Sequence, residues 1–333
     1  MDEVITLAHG SGGEKSRELV EHLFLPAYSN PYLNPLTDSA ILTGGEKIAM
    51  TTDSYVVKPL FFPGGDIGRL AVSGTVNDLA VSGACPKFLS VGMILAAGLE
   101  MNVLQRIVQS IAATAKEAGV QIVTGDTKVV EHNSADRIFI NTTGIGVFPA
   151  GRSIPPQKIE AGDCIIASGF IASHGMAVMA ERNSLGFIPA IESDVAPLGK
   201  MVGGVLQDSE NVVHAMRDPT RGGVAATLCE WVTTNTDILL YDQVIPVRAD
   251  VRAACKILGL DPLFIANEGV VLFAVAQSCA KNVITALQKD SHGCHAVIIG
   301  EVRKGIGKVV ALTEIGSQRR ILMPRGELLP RIC

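Results

Sequence analysis

Residues 88–124 read FLSVGMILAAGLEMNVLQRIVQSIAATAKEAGVQIVT, and this stretch decides the fold class. Within Met101–Ala118, the residues Leu104, Ile107, Val108, Ile111 and Ala115 fall at the i, i+3, i+4, i+7, i+11 spacing of one buried helical stripe. Gly119 supplies the stop signal. On either side, Phe88–Ala97 and Val120–Thr124 are short apolar runs that read as strands. Strand, helix, strand is the unit of an α/β protein.

Working outward, the same alternation continues. Val4–Ala8 and Lys47–Asp53 read as strands, Glu14–Leu25 and Asp66–Ala84 as helices, and Arg137–Phe148 as a further strand. Pro86 ends the second helix, because proline lacks the N–H a helix needs. The Pro- and Gly-rich segment from Pro149 to Pro156 is the expected domain boundary. Beyond it, helices are expected over Gly175–Arg182, Leu198–Gln207, Arg221–Thr234, Arg252–Leu258 and Cys279–Lys289. Strands are expected over Asp163–Ser168, Leu263–Ala266, Val270–Val275 and Ala296–Val302. The reading gives a domain over 1–150, an α/β domain over 151–316 and a tail over 317–333. The tail has net charge +3, leaving −8 for the remainder. Pro324, Gly326 and Pro330 discourage a helix there, so a flexible extended segment ending in Cys333 is expected.

The chain has 333 residues, of which 47% are hydrophobic and only 18% charged, below the roughly 25% of an average domain. A net charge of −5 and 5% aromatic residues argue against nucleic-acid binding, which wants a basic face or a stacking platform. Seven cysteines show no zinc spacing, and six of them read as small buried hydrophobes. No apolar run reaches membrane-spanning length, so no membrane association and a cytoplasmic location are expected.

Against this low charge content, five aspartates interrupt apolar or glycine-rich segments: Asp38, Asp53, Asp78, Asp126 and Asp218. Buried carboxylates are costly unless paired, hydrogen-bonded or metal-bound, and several together repel unless a cation neutralises them. Mg²⁺ takes oxygen ligands and combines a few carboxylates with phosphate oxygens. Each aspartate taken alone also fits a cap or turn, Asp218 most of all, since Asp-Pro-Thr-Arg precedes an expected helix. The loop Gly10-Ser11-Gly12-Gly13 after His9 can offer backbone N–H groups to phosphate, although it is not a Walker A sequence.

Taken in order, the segments form a pattern. The glycine loop is followed by Thr37-Asp-Ser, Thr51-Thr-Asp-Ser, Asn77-Asp-Leu-Ala and Gly125-Asp-Thr-Lys. Asp218-Pro-Thr-Arg-Gly-Gly and Asn267-Glu-Gly complete it. The pattern resembles the ATP-binding superfamily of aminoimidazole ribonucleotide synthetase and selenophosphate synthetase. Pro330-Arg-Ile-Cys333 narrows the resemblance to the HypE family of nickel–iron hydrogenase maturation factors.

The resemblance implies two α/β domains with mixed sheets, the first binding ATP and forming a homodimer. It implies ATP-dependent dehydration of an S-carbamoyl group on Cys333 to a thiocyanate, the source of an iron-bound cyanide. It implies ATP and Mg²⁺ as cofactors, the carbamoyltransferase HypF as donor partner and the HypC–HypD complex as acceptor. Carried over residue by residue, Gly10, Ser11, Gly12, Gly13, Asp38, Asp53, Asn77, Asp78, Asp126, Thr127 and Asp218 are the ATP-site candidates. Asp38, Asp53, Asp78 and Asp218 are the metal candidates. Cys333 carries the substrate, with Lys128 and Glu268 as candidate bases. The alternatives are a selenophosphate synthetase-like or other small kinase of the superfamily, and a non-catalytic nucleotide-binding scaffold. The glycine loop lacks the cysteine expected of the selenophosphate branch.

Overall fold

The computed structural model describes residues 13–19, 21, 40–44, 46–131, 136–150 and 155–325. Gly10, Ser11, Gly12, Asp38 and Cys333, with the strand expected over Val4–Ala8, lie outside the described residues.

Among the described residues, the first domain is a five-stranded mixed sheet backed by helices. Helix α1 (Glu14–Leu19) precedes β1 (Ala40–Gly44) and β2 (Glu46–Tyr55). A small hairpin, β3 (Phe61–Phe62) and β4 (Gly65–Asp66), leads into α2 (Ile67–Val81). Then follow β5 (Cys85–Ala96), α3 (Met101–Ala118), β6 (Gln121–Val130) and β7 (Ile138–Val147). The sheet order is β1-β2-β7-β5-β6, with β5 and β6 parallel and the other pairs antiparallel. The strand–helix–strand unit of residues 85–130 is thus the parallel part of the sheet, and α3 has the expected bounds.

Helix α2 starts at Asp66, whose Oδ1 accepts from Gly68 N at 2.7 Å and Arg69 N at 3.1 Å. This satisfies two of the donors that a helix start leaves free. Nearly all of α2 is buried. It lies tightly on the sheet because glycines stand where it crosses. A Cβ at Gly144 would press on Thr75 and Leu79, and one at Gly74 would strike the Tyr55 ring and hydroxyl.

The second domain holds β8 (Asp163–Ala167), α4 (Ser173–Arg182), α5 (Gly199–Ser209), β9 (Val213–Arg217), α6 (Gly223–Trp231) and β10 (Thr236–Tyr241). It continues with α7 (Ala249–Leu258), β11 (Leu272–Ala276), α8 (Ala280–Leu287), β12 (Val297–Lys304), β13 (Val309–Leu312) and β14 (Gln318–Ile321). Its seven-stranded sheet runs β14-β13-β10-β12-β8-β11-β9, with β10 and β13 parallel. Every residue of β8 is buried, as expected for a central strand covered on both faces.

Several expectations are corrected here. Leu263–Ala266 is not a strand. Pro262–Phe264 forms a 3₁₀ turn, started by Pro262 and by the Asp261 carboxylate accepting from Leu263 N at 3.0 Å. The tail does not leave the domain at residue 317. Gln318–Ile321 pairs antiparallel with β13, and Arg319 reaches Asp242 at 3.0 Å and Asp261 at 2.6 Å. Of the six cysteines expected to be buried, Cys164 and Cys255 are; Cys85, Cys229 and Cys279 are half-buried and Cys294 is exposed.

The two domains share their cores. Val178, Val195 and Ala266 pack into the apolar cluster of the first domain, and Ala80 and Val81 into a cluster of the second. The segment 191–198 straps the two together. Ser193 N donates to Pro63 O at 2.9 Å, and Arg69 Nε donates to Val195 O at 2.9 Å. Gly64 permits this approach: its φ is +86°, and a Cβ there would collide with the Ser193 backbone.

Candidate functional site at the domain junction

Two strand ends bring the central acids together. Strand β9 runs out at Arg217, and its antiparallel partner β11 begins at Leu272, with Leu272 opposite Arg217. The residues just past one end therefore meet those just before the other. Asn267 N donates to Pro219 O at 3.2 Å, and Asn267 Nδ2 donates to the same carbonyl at 2.8 Å. Asp218 and Glu268 sit on these adjoining segments, 6% and 3% exposed. Asp218 does not cap α6. The cap position is Gly222, with φ +73° and no side-chain bond to the helix.

The first domain supplies the facing wall. Asp53 and Tyr55 alternate on β2 toward the helix-covered face of the sheet. Tyr55 Oη donates to Asp53 Oδ2 at 3.1 Å and shares a hydrogen bond with Thr75 Oγ1 at 3.3 Å. Thr51 Oγ1 donates to Asp78 Oδ2 at 2.9 Å, so Asp78 on α2 lies beside the same strand. Asn77, one residue earlier and 1% exposed, ties the domains together. Its Nδ2 donates to Ala196 O at 3.0 Å and Glu268 O at 3.3 Å, and its Oδ1 accepts from Leu198 N at 2.7 Å.

The electrostatics follow from this convergence. Burial, and then the charges of Asp218, Asp194 and Asp53, push the Glu268 carboxyl well above the usual carboxylate range; Arg221 opposes them. Burial, with Asp53, Asp78 and Glu268, likewise raises the Tyr55 phenol. A carboxyl so placed holds a proton more readily than an ordinary one, and its carboxylate is correspondingly the stronger base.

Asp194 is the residue the sequence reading missed. It sits in Ile191-Glu-Ser-Asp-Val, a segment with no motif that marks it. Its Oδ2 accepts from Gly269 N at 2.9 Å and Glu268 N at 3.2 Å, and burial raises its pKa to about 6.

Among the described residues, Asp126 and Lys128 are not brought to this junction within one chain. Across the sheet, Asp53 aligns with Thr142, Val91 and Gly125. Asp126 and Lys128 follow at odd offsets from Gly125, so alternation aims both at the opposite, open face. Both are exposed, three strands from β2. Gly13 is buried at the start of α1, while Thr127 is placed on β6 by its backbone only.

The donor set suits a divalent cation. Carboxylates of Asp53, Asp78 and Asp218 crowd one junction and raise each other's neighbours, a charge arrangement that a cation relieves. Among the described residues no three His, Cys, Asp or Glu side chains close on one point by themselves. Mg²⁺ does not require that, since it keeps waters and takes phosphate oxygens alongside one or two carboxylates. Among the described residues, no helix is long and apolar enough to cross a membrane.

Comparison with known proteins places the chain. The family model of the AIR synthase related protein, N-terminal domain, matches residues 36–148, and that of the C-terminal domain matches 160–312. The carbamoyl dehydratase HypE of Escherichia coli strain K12 is 44% identical over 338 residues, covering 99% of each chain. A crystal structure of a HypE–HypF complex superposes with TM-score 0.87 at 44% identity, covering 92% of this chain and 99% of that one. A crystal structure of the hydrogenase maturation protein HypE in complex with ATP superposes with TM-score 0.82 at 43% identity, covering 99% and 100%. The chain belongs to the carbamoyl dehydratase HypE family of AIR synthase related proteins.

Proposed function

We propose that this protein is an ATP-dependent carbamoyl dehydratase that converts an S-carbamoyl group on Cys333 into a thiocyanate, the precursor of the cyanide ligand of nickel–iron hydrogenase. The observation that carries the reading is the acidic junction of half-buried Asp53 and Asp78 with buried Asp218 and Glu268, set between the two domains of a HypE-family chain.

The chemistry needs such a site. An amide oxygen is a poor leaving group, so it must be activated. Transfer of the γ-phosphoryl group of ATP to that oxygen forms an O–P bond and breaks the P–O bond to ADP. One nitrogen proton leaves as the neutral imidate phosphate forms, and loss of the second with cleavage of the C–O bond releases phosphate and leaves S–C≡N. The water lost by the amide appears in the phosphate, so ADP, phosphate and thiocyanate balance the equation.

Asp53, Asp78 and Asp218, with Asp38, would hold Mg²⁺, which when bound would neutralise charge on the triphosphate. Glu268, whose raised pKa makes its carboxylate a stronger base than usual, is the candidate to take a nitrogen proton of the thiocarboxamide. Burial keeps bulk water from the reacting carbon. Gly10, Ser11, Gly12 and Gly13 are assigned to phosphate contact. Asp126 and Lys128 lie on the open face of β6, where a second chain docked on that face would meet them, with Thr127 between them on the same strand. That face carries Met50, Phe88 and Ile94, each 40–43% exposed, which supports a homodimer through this sheet. HypF as carbamoyl donor and HypC–HypD as cyanide acceptor complete the reading, with a cytoplasmic location.

Intact mass spectrometry of the chain, carbamoylated and then given ATP and Mg²⁺, tests it. ATP-dependent loss of one water from Cys333 is expected, and C333A is expected to fold, bind ATP and form no thiocyanate. A modification mapped to another cysteine would sink the assignment.

A further inference from the structure

The peptide of Glu268 is gripped on both sides. Its N–H donates to Asp194 Oδ2 at 3.2 Å, and its carbonyl accepts from Ala196 N at 3.2 Å and Asn77 Nδ2 at 3.3 Å. The next N–H, of Gly269, donates to the same Asp194 oxygen at 2.9 Å. Gly269 leaves no slack, because a Cβ there would overlap the Asp194 carbonyl.

The grip carries a cost. The Asp194 carboxylate is buried, and burial disfavours its charge even though backbone N–H groups, those of Gly269 and Glu268 among them, bond it. A turn of this kind does not need a distant carboxylate to close it. Asp194 nevertheless reaches over from the strap that Ser193 and Arg69 fasten to the first domain. The position of Glu268 is thereby referred to the opposite wall of the site, where Asp53 and Asp78 sit.

Resting on the dehydratase reading above, we infer that Asp194 is a positioning residue that fixes the Glu268 backbone, and with it the Glu268 carboxyl, relative to the first domain. It acts through the placement of its oxygen rather than through its charge.

Two substitutions separate placement from charge. In D194N an oxygen remains at the same reach to accept both N–H groups, and the charge is gone. In D194E the charge remains, but the added methylene moves the oxygens by about 1.5 Å. With carbamoylated chain and ATP, kcat of D194E is expected to fall roughly 100-fold, the scale of an ångström misplacement. The KM for ATP should stay within about threefold, since ATP binding is not what Asp194 arranges. D194N is expected to keep at least about tenfold the kcat of D194E. The reverse order, equal rates, or a D194E defect confined to KM overturns the inference. Thermal melts confirm that both variants fold. Should D194E not fold, D194S, whose hydroxyl reaches at most one of the two N–H groups, takes its place. Wild-type chain that fails to lose water with ATP refutes the dehydratase reading instead, so the two failures are distinct.

Discussion

The side-chain amide of Asn77, on helix α2 of the first domain, donates to the main-chain carbonyl of Glu268 in the second domain at 3.3 Å. The same side chain holds Ala196 O and Leu198 N, so one asparagine satisfies three buried backbone groups across the junction. In N77A the Ala196 carbonyl and the Leu198 N–H lose this partner where water cannot easily replace it, while the Glu268 carbonyl keeps the Ala196 N–H. The expected destabilisation is about 2–4 kcal/mol. That corresponds to a melting temperature lower by roughly 5–10 °C, read by calorimetry. An unchanged melt would mean that the shared apolar clusters alone hold the domains together.

Glu268 and Asp194 give the protein a pH dependence with a definite sign. Both are acids whose folded pKa lies above the unfolded one, Asp194 at about 6 and Glu268 well above the usual carboxylate range. The folded state holds more protons than the unfolded state between those values. Their penalty is absent below the unfolded pKa, near 4, and grows as pH rises toward the folded value. For Asp194 the shift corresponds to about 3 kcal/mol. Urea midpoints should therefore fall between about pH 4 and 6, and fall less steeply in E268Q, whose side chain stays neutral. An E268Q slope equal to that of wild type would remove Glu268 from this account. Dehydration should be lost in E268Q because its amide cannot take up a proton.

Asp78 accepts from Thr51 at 2.9 Å on the wall facing Glu268. In D78N the hydrogen bond survives through the amide oxygen while a cation-facing charge is lost. ATP turnover is expected to fall by about 10–100-fold with the melting temperature nearly unchanged. Turnover equal to wild type in a Mg²⁺ titration would take Asp78 out of the metal site.

Arg319 joins the last described strand to two acids at once, Asp242 and Asp261. These pairs are partly exposed, so solvent screens them, and R319A should cost about 1 kcal/mol. The sharper effect is local. Hydrogen exchange at residues 318–321 should accelerate while β8 and β11 keep their protection. Uniform acceleration across the sheet would show that β14 stabilises the whole domain.

Helix α3 was legible because its stripe repeats every three to four residues and needs no distant partner. The strands flanking it were legible as short apolar runs. Strands β1, β9, β10, β13 and β14 were not, and β14 shows why. Gln318-Arg-Arg-Ile carries little apolar pattern, and it becomes a strand through pairing with β13 and through Arg319 meeting two acids far away in sequence.

The sequence by itself determined the α/β class, the break near residue 150 and the set of carboxylates interrupting apolar segments. Those are local properties of spacing and composition. Only the tertiary structure decided which of them meet. Strand register sent Asp126 and Lys128 to the open face, because a one-residue step reverses a side chain. The antiparallel meeting of β9 and β11 brought Asp218 to Glu268. The strap from Ser193 to Leu198 brought in Asp194, unmarked in the sequence. Burial among these acids then pushed the Glu268 carboxyl above the usual carboxylate range, a shift that depends on desolvation and neighbouring charge and has no signature in the tripeptide Asn267-Glu268-Gly269.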